Sequence, residues 1–258
     1  MISLLGIGIG IATVSFAVVW AICVRIRNYA FLDVAWSYAV AVLAPVYSAL
    51  GPGDSVRKWV ATGIGVAWSV RLGTHLLVRV VRHHPSEDPR YQTLRKRWDG
   101  PAMFLAFFEL QAVIAVIFSL PFLLAAFNAQ PTMALVEWLG LGVALIGLAG
   151  ESVADAQMTS FKRDPASKGR VCQKGLWKWS RHPNYFFEFV VWVGFCVFAF
   201  GSPWGGITVI CPILMLYFLL RVTGIPLTEE YSIESKGDAY REYQRTTSAF
   251  VPWFRRKP

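Results

Sequence analysis

The stretch GLWKWSRHPNYFFE, residues 175–188, opens directly into an apolar run that continues from Phe186 to Phe200. Pro183 suits a first helical turn, because its ring fixes φ and the N–H at that position has no intrahelical acceptor. Asn184 and Glu188 then lie one turn apart on a shared face, with Tyr185 beside them. A carboxylate just inside a hydrocarbon layer is costly to keep there, so Glu188 is read as a functional residue. The rest of the chain reads as the bundle that shelters this cluster.

The surrounding composition agrees with a bilayer. The 258 residues are 55% hydrophobic and 16% charged, with a mean hydropathy of +0.46. A soluble domain carries about 25% charged residues. Uncharged runs of about 18 residues or more recur along the chain, as transmembrane helices require. Seven spans are expected, at about 2–24, 30–50, 59–78, 102–127, 133–154, 184–200 and 204–222. They form an all-α seven-transmembrane helix bundle, a single membrane domain over 1–258. The polar loops are 79–100 and 156–182, and the polar tail is 223–258.

Charge orients the bundle. The segments 25–29, 79–100, 156–182 and the tail hold 21 of the 25 Lys and Arg residues. By the positive-inside rule the N-terminus is outside and the C-terminus cytosolic. The same rule accounts for the net charge of +9 without nucleic acid as a partner. Cys23, Cys172, Cys196 and Cys211 are scattered, with no CxxC spacing, so neither a disulfide framework nor a zinc site is expected. The first apolar run lacks a basic n-region and is read as a retained span.

Several polar residues interrupt the apolar runs. Asp33, Arg71, His75, Glu109 and Glu188 should each turn into the bundle rather than towards lipid. With Trp36 and Gln111 they outline a polar substrate cavity. Asp33 and Trp36, three residues apart, share a helix face, and an acid beside an aromatic wall is a candidate proton donor. The loop residues Lys162, Arg163, Lys168 and Arg170 are a candidate phosphate site, since guanidinium groups bind phosphate bidentately. Glu151 and Asp155, again one turn apart, are placed to accept ribose hydroxyls. An ordinary cytosolic loop touching anionic lipid remains the alternative. The segment Glu87–Tyr91 reads as a turn leading into a surface amphipathic helix. In the tail, Tyr231, Tyr240 and Tyr243 follow helical spacing and are candidates to cover a nucleotide.

Four motifs in order, EDPRY (87–91), GLWKWSRHPNYFFE (175–188), PLTEE (226–230) and YREYQRTTSAFVPW (240–253), resemble the bacterial DUF1295 membrane proteins. That family looks related to the steroid 5-alpha-reductases. The resemblance covers about Asp33 to Pro252 and centres on the C-terminal half. It implies a nicotinamide nucleotide, NADPH, held in the cytosolic half of the bundle. Asn184, Tyr185 and Glu188 match the family's Asn-Tyr-Phe-x-Glu, whose Asn contacts the nicotinamide amide. Asp155 and Arg170 fall on residues for ribose and phosphate, Lys162 replaces a second phosphate-binding Arg, and Glu151 stands where eukaryotic enzymes carry Asn. Those enzymes polarise a steroid ketone with an acid on span two and a Tyr on span three. Asp33 matches the acid, and no Tyr lies near Arg71 to His75.

The resulting expectation is NADPH-dependent reduction of a C=C bond conjugated to a ketone in a lipophilic, steroid-like substrate delivered by the membrane lipid. Asp33, Glu188 and Tyr185 are the expected catalytic residues. Glu151, Asp155, Lys162, Arg163, Arg170, Arg181, His182, Asn184, Tyr185, Tyr231 and Tyr243 are expected to hold the cofactor. Asp33, Trp36, Arg71, His75, Glu109 and Gln111 are expected to contact the substrate. A monomer in a bacterial inner membrane completes the reading. A membrane methyltransferase using S-adenosylmethionine would reuse His182, Asn184, Tyr185 and the Glu229-Glu230 pair, because isoprenylcysteine carboxyl methyltransferases share a related pattern. A non-enzymatic lipid-binding or transport bundle is the third reading.

Overall fold

The computed structural model describes residues 1–98 and 100–255, and Arg256 and Lys257 of the basic tail lie outside the described residues. Among the described residues the chain is helical, with no β-strand beyond one isolated bridge between Ser180 and Ser248. The helices are α1 (Ile2–Ile26), α2 (Phe31–Leu50), α3 (Ser55–His83), α4 (Pro89–Arg97), α5 (Gly100–Ala125), α6 (Leu135–Arg163), α7 (Pro183–Ala199), α8 (Ile210–Tyr217), α9 (Ile225–Lys236) and α10 (Asp238–Thr246). Among the described residues six stretches are long and apolar enough to cross a membrane: α1, α2, α3, α5, α6 and the continuous run Gly205–Lys236. The protein is therefore a multi-pass membrane protein. The expected sixth span is α7, an apolar helix of 17 residues.

The expected boundaries shift in two places. Helix α3 continues past 78 to His83, and α6 continues past 154 to Arg163. Neither extension contains a Gly or Pro to stop it, so polar chain that leaves the apolar run stays helical. Lys162 and Arg163 therefore stand on the last turn of a helix rather than in a loop. The stretch expected as span seven is built from a 3-10 turn (Gly205–Val209), α8 and a π-helical turn (Phe218–Val222) before α9 begins.

The chain folds as two compact units. Unit 1 comprises Met1–Trp138 and Phe198–Thr208, and unit 2 comprises Leu139–Val197 and Val209–Pro258. In unit 1, α2 packs on α3, and α1 packs on α2 and α5. Trp68, Tyr47, Phe16, Phe104, Phe108, Phe118 and Phe122 fill its core. Gly8 and Gly65 admit the rings of Tyr47 and Phe122, which a Cβ at either position would strike. Hydroxyl groups stitch α2 to α3: Ser48 Oγ lies 2.6 Å from Thr62 Oγ1, Ser69 Oγ donates to the Ser37 carbonyl, and Tyr38 Oη meets Thr74 at 2.8 Å. Such bonds hold helices where water does not compete for them.

At one end of unit 1, Arg57 is buried against Glu137 and directs its remaining N–H groups to the carbonyls of Asn128, Gln130 and Thr132. This fixes the turn between α5 and α6. In unit 2, α6 and α7 approach closely through glycine. A Cβ on Gly147 would lie 2.6 Å from the Val191 backbone nitrogen, and Gly150 faces the Phe187 ring.

Candidate functional site

Each unit carries a polar cluster that includes expected site residues. In unit 1 it is built on the EDPRY segment. Asp88 caps α4 by accepting the Arg90 backbone N–H at 3.0 Å, and Pro89 occupies the first helical position. The helix launched this way carries Arg90 and Tyr91 to Asp33, in the first turn of α2. Tyr91 Oη donates to Asp33 Oδ1 at 2.7 Å, and Arg90 NH2 donates to Asp33 Oδ2 at 2.7 Å. Arg90 also grips Asp88 through Nε and NH2, both at 3.0 Å. Arg79 stands 3.9 Å from both carboxylates.

The electrostatics fix the roles within this cluster. Burial, and then the negative field of Asp33, push the Tyr91 phenol well above its ordinary value, so it stays a protonated donor. Burial works against charge on Arg90, but Asp33 and Asp88 outweigh it and keep the guanidinium protonated. At Asp88 burial is likewise opposed, and the bonds from Arg90 bring its carboxyl below the usual range. Glu87 accepts the Tyr29 backbone N–H at 2.7 Å and two bonds from Arg95, at 3.0 and 2.9 Å. The Arg95 guanidinium covers the Tyr29 ring at 4.6 Å, and that ring stacks on Phe104 at 3.7 Å. Residues 87–95 are thus clamped to the start of α2 instead of forming a free surface helix.

The other expected substrate residues lie on α2, α3 and α5. Trp36 packs edge-on to Trp68 and Phe118, and its indole N–H is buried with no hydrogen-bond partner among the described residues. Arg71, Glu109 and Gln111 are half-buried. His75 is exposed, a departure from the expectation that all five ionisable residues turn inward. The buried stripe of α3 follows Ala61, Gly65, Trp68, Ser69, Gly73 and Val80, and His75 falls beside it.

The cluster in unit 2 centres on Glu229 of α9. Arg181 binds it through Nε at 2.6 Å and NH2 at 3.3 Å, His182 Nε2 lies 3.1 Å away, and Gln244 Nε2 donates at 2.7 Å. Arg181 spends its NH1 group on the carbonyls of Gln244 and Thr247. Tyr243 Oη donates to the Trp177 and Ser180 carbonyls. Arg181, His182 and Tyr243, all expected at the cofactor, form the latch that ties the 177–182 segment to α9 and α10. Burial lowers the His182 pKa despite the opposing bond to Glu229, so the ring is neutral at neutral pH and offers Nε2–H.

Beside the latch, Tyr185 stacks on His182 with ring centroids 5.3 Å apart, and its hydroxyl lies 3.1 Å from Thr228 Oγ1. Glu188 is buried and accepts the Trp192 indole N–H at 2.9 Å. Asn184 reaches α6, where its Nδ2 donates to Asp155 Oδ1 at 3.3 Å. Because a carboxylate only accepts, that contact fixes which way the amide faces. Asn184 Oδ1 is then buried with no hydrogen-bond partner among the described residues. A buried unsatisfied acceptor costs about 1–3 kcal/mol, so it marks a position prepared for a donor. Glu151 is buried one turn before Asp155 on α6. Tyr231 is half-buried on α9, and Lys162, Arg163, Lys168 and Arg170 are exposed.

Sequence reasoning missed Arg90 and Tyr91 as site residues. The signal was available in Asp88-Pro89, a cap followed by a first-turn proline, which places the next two side chains on a short helix.

Comparison with known proteins adds two matches. The DUF1295 family model, described as a protein of unknown function, matches residues 19–247. An uncharacterized protein of Schizosaccharomyces pombe, C594.04c, is 23% identical over 271 residues, covering 91% of this chain and 76% of the relative. No solved structure matches the chain.

Proposed function

This chain belongs to the DUF1295 family, and from that premise we propose that it is an NADPH-dependent reductase of a C=C bond conjugated to a ketone in a lipophilic, steroid-like molecule. The observation that carries this reading is the Asn184 amide, whose acceptor oxygen is buried, oriented by Asp155 and unsatisfied. The carboxamide N–H of a nicotinamide is the donor such an oxygen requires. S-adenosylmethionine has no primary carboxamide and no phosphate to engage the cations of α6 and the following loop.

When bound, NADPH supplies hydride. Asn184 Oδ1 orients its amide, and Glu151 and Asp155 offer carboxylates to hydroxyl groups. Lys162, Arg163 and Arg170 neutralise phosphate, with Arg preferred where two parallel bonds are possible. Glu188 is held in place by the Trp192 indole N–H. In unit 1 the single Tyr91 Oη–H is given to Asp33, and both Asp33 oxygens accept bonds, so a ketone oxygen would take that proton in place of Asp33 Oδ1. A donor fixed in a low-dielectric site stabilises negative charge on that oxygen strongly. Seven spans with the basic loops on the cytosolic side complete the reading.

The test is thermal unfolding of the detergent-purified protein with NADPH, NADH and S-adenosylmethionine in parallel. A ligand at a hundred times its Kd stabilises by about 2.7 kcal/mol. NADPH is expected to raise the midpoint, and Asn184→Leu and Arg170→Ala to remove the rise. A shift with S-adenosylmethionine alone would overturn the proposal in favour of methyl transfer.

A further inference from the structure

A groove of about 330 Å³ runs between α1 and α2 in unit 1, lined by Ser15, Val19 and Ile22 on one side and Phe31, Ala35 and Tyr38 on the other. Its lining is apolar apart from Ser15 and Tyr38, and the Tyr38 hydroxyl is already bonded to Thr74. The lining of α1 begins at Ile11, and from there to Ile22 the helix rises about 17 Å. An apolar groove of this length and volume accommodates one extended alkyl chain.

The two ends of the groove differ in charge. At the Ile22–Phe31 end, where a short turn joins α1 to α2, Arg25 continues the α1 lining three residues on, and Arg27 follows at the helix cap. Both are exposed and neither makes an ion pair among the described residues. Beyond the opposite end the nearby cations are spent: Arg57 is buried with Glu137, and Lys58 Nζ donates to the Gly51 carbonyl at 2.9 Å. Unpaired positive charge at one end of an alkyl-sized slot in a membrane-spanning unit selects an amphiphile with one acyl chain in the slot and an anionic head at the guanidinium groups. We infer that this groove binds an anionic phospholipid of the surrounding bilayer, with an acyl chain between α1 and α2 and its phosphate on Arg25 and Arg27. The inference does not depend on the proposed reductase activity.

The experiment compares thermal unfolding of the full chain in micelles supplemented with phosphatidylglycerol or with phosphatidylcholine of identical acyl chains. Phosphatidylglycerol is expected to give the larger rise in midpoint. Ser15→Phe, which fills the groove from an exposed position, and the double variant Arg25→Gln/Arg27→Gln are each expected to abolish the difference. Should Ser15→Phe fail to fold, Ala35→Leu fills the slot more gently and gives the same expected loss. Equal stabilisation by the two lipids, or a phosphatidylglycerol advantage that survives either kind of variant, overturns the inference. So does a dimer by light scattering that Ser15→Phe converts to monomer, since the groove would then be covered by a second copy. Stabilisation by a neutral sterol alone, lost in Ser15→Phe, overturns it in favour of a neutral ligand.

Discussion

Replacing Glu137 by Gln tests the strongest electrostatic commitment in unit 1. Arg57 is 1% exposed and Glu137 is fully buried. Two of the five Arg57 bonds end on Glu137, at 2.5 and 3.2 Å, and three end on the carbonyls of Asn128, Gln130 and Thr132. Gln preserves shape and can still accept the Ala134 backbone N–H that Glu137 accepts at 2.6 Å, so the start of α6 stays capped. What disappears is the counter-charge of a buried guanidinium together with the oxygen that accepts its Nε–H, where the Gln amide NH2 would stand. Opposite charges about 4 Å apart at an effective dielectric of about 20 attract by about 4 kcal/mol, and breaking one side of a buried pair costs about 3–5 kcal/mol.

The expected loss is in that range, more than a hundredfold in the folding equilibrium at about 1.4 kcal/mol per tenfold. Arg57→Met should cost more, because three carbonyls also lose their donor at about 1–3 kcal/mol each. For the same reason the double variant Arg57→Met/Glu137→Leu is not neutral, although its apolar side chains match each other. The assay is equilibrium unfolding in mixed micelles, followed by tryptophan fluorescence and closed as a double-mutant cycle. A loss below about 1 kcal/mol for Glu137→Gln, the value of an exposed pair, would refute the reasoning.

Two further outcomes follow from the clusters. Once an enone substrate is in hand, Tyr91→Phe should lower kcat by about 10²–10⁴-fold, the usual contribution of a positioned acid, while NADPH-induced thermal stabilisation persists. Asp33→Asn should lower it too, and full turnover by either variant would remove this pair from the reaction. His182 has a folded pKa below its unfolded value of about 6.5. Its contribution is therefore complete above about pH 6.5 and is lost as pH falls towards the lowered folded value, because the unfolded chain takes up the proton first. The slope is at most about 1.4 kcal/mol per pH unit, and unfolding curves for His182→Gln should show a flatter decline over that window. An unchanged slope in the variant would place the pH dependence elsewhere.

The sequence by itself determined the membrane class, the position of most helices and the polar–apolar junction at Pro183. Those properties follow from composition, from uncharged runs as long as a bilayer is thick, and from local backbone chemistry. It also placed Asn184 one turn from Glu188 and Asp155 one turn from Glu151, since helical spacing is local. Tertiary structure decided which groups meet. Asp33 and Tyr91 are 58 residues apart, and Arg57 and Glu137 are 80 apart, so no periodicity connects them. A hydrogen bond between distant residues depends on how helices pack, and packing is set by the summed contacts of many side chains. That is why EDPRY looked like a surface turn until its tyrosine was found on Asp33. It is also why the latch that Arg181, His182 and Tyr243 form between residues 177–182, α9 and α10 was not legible from spacing.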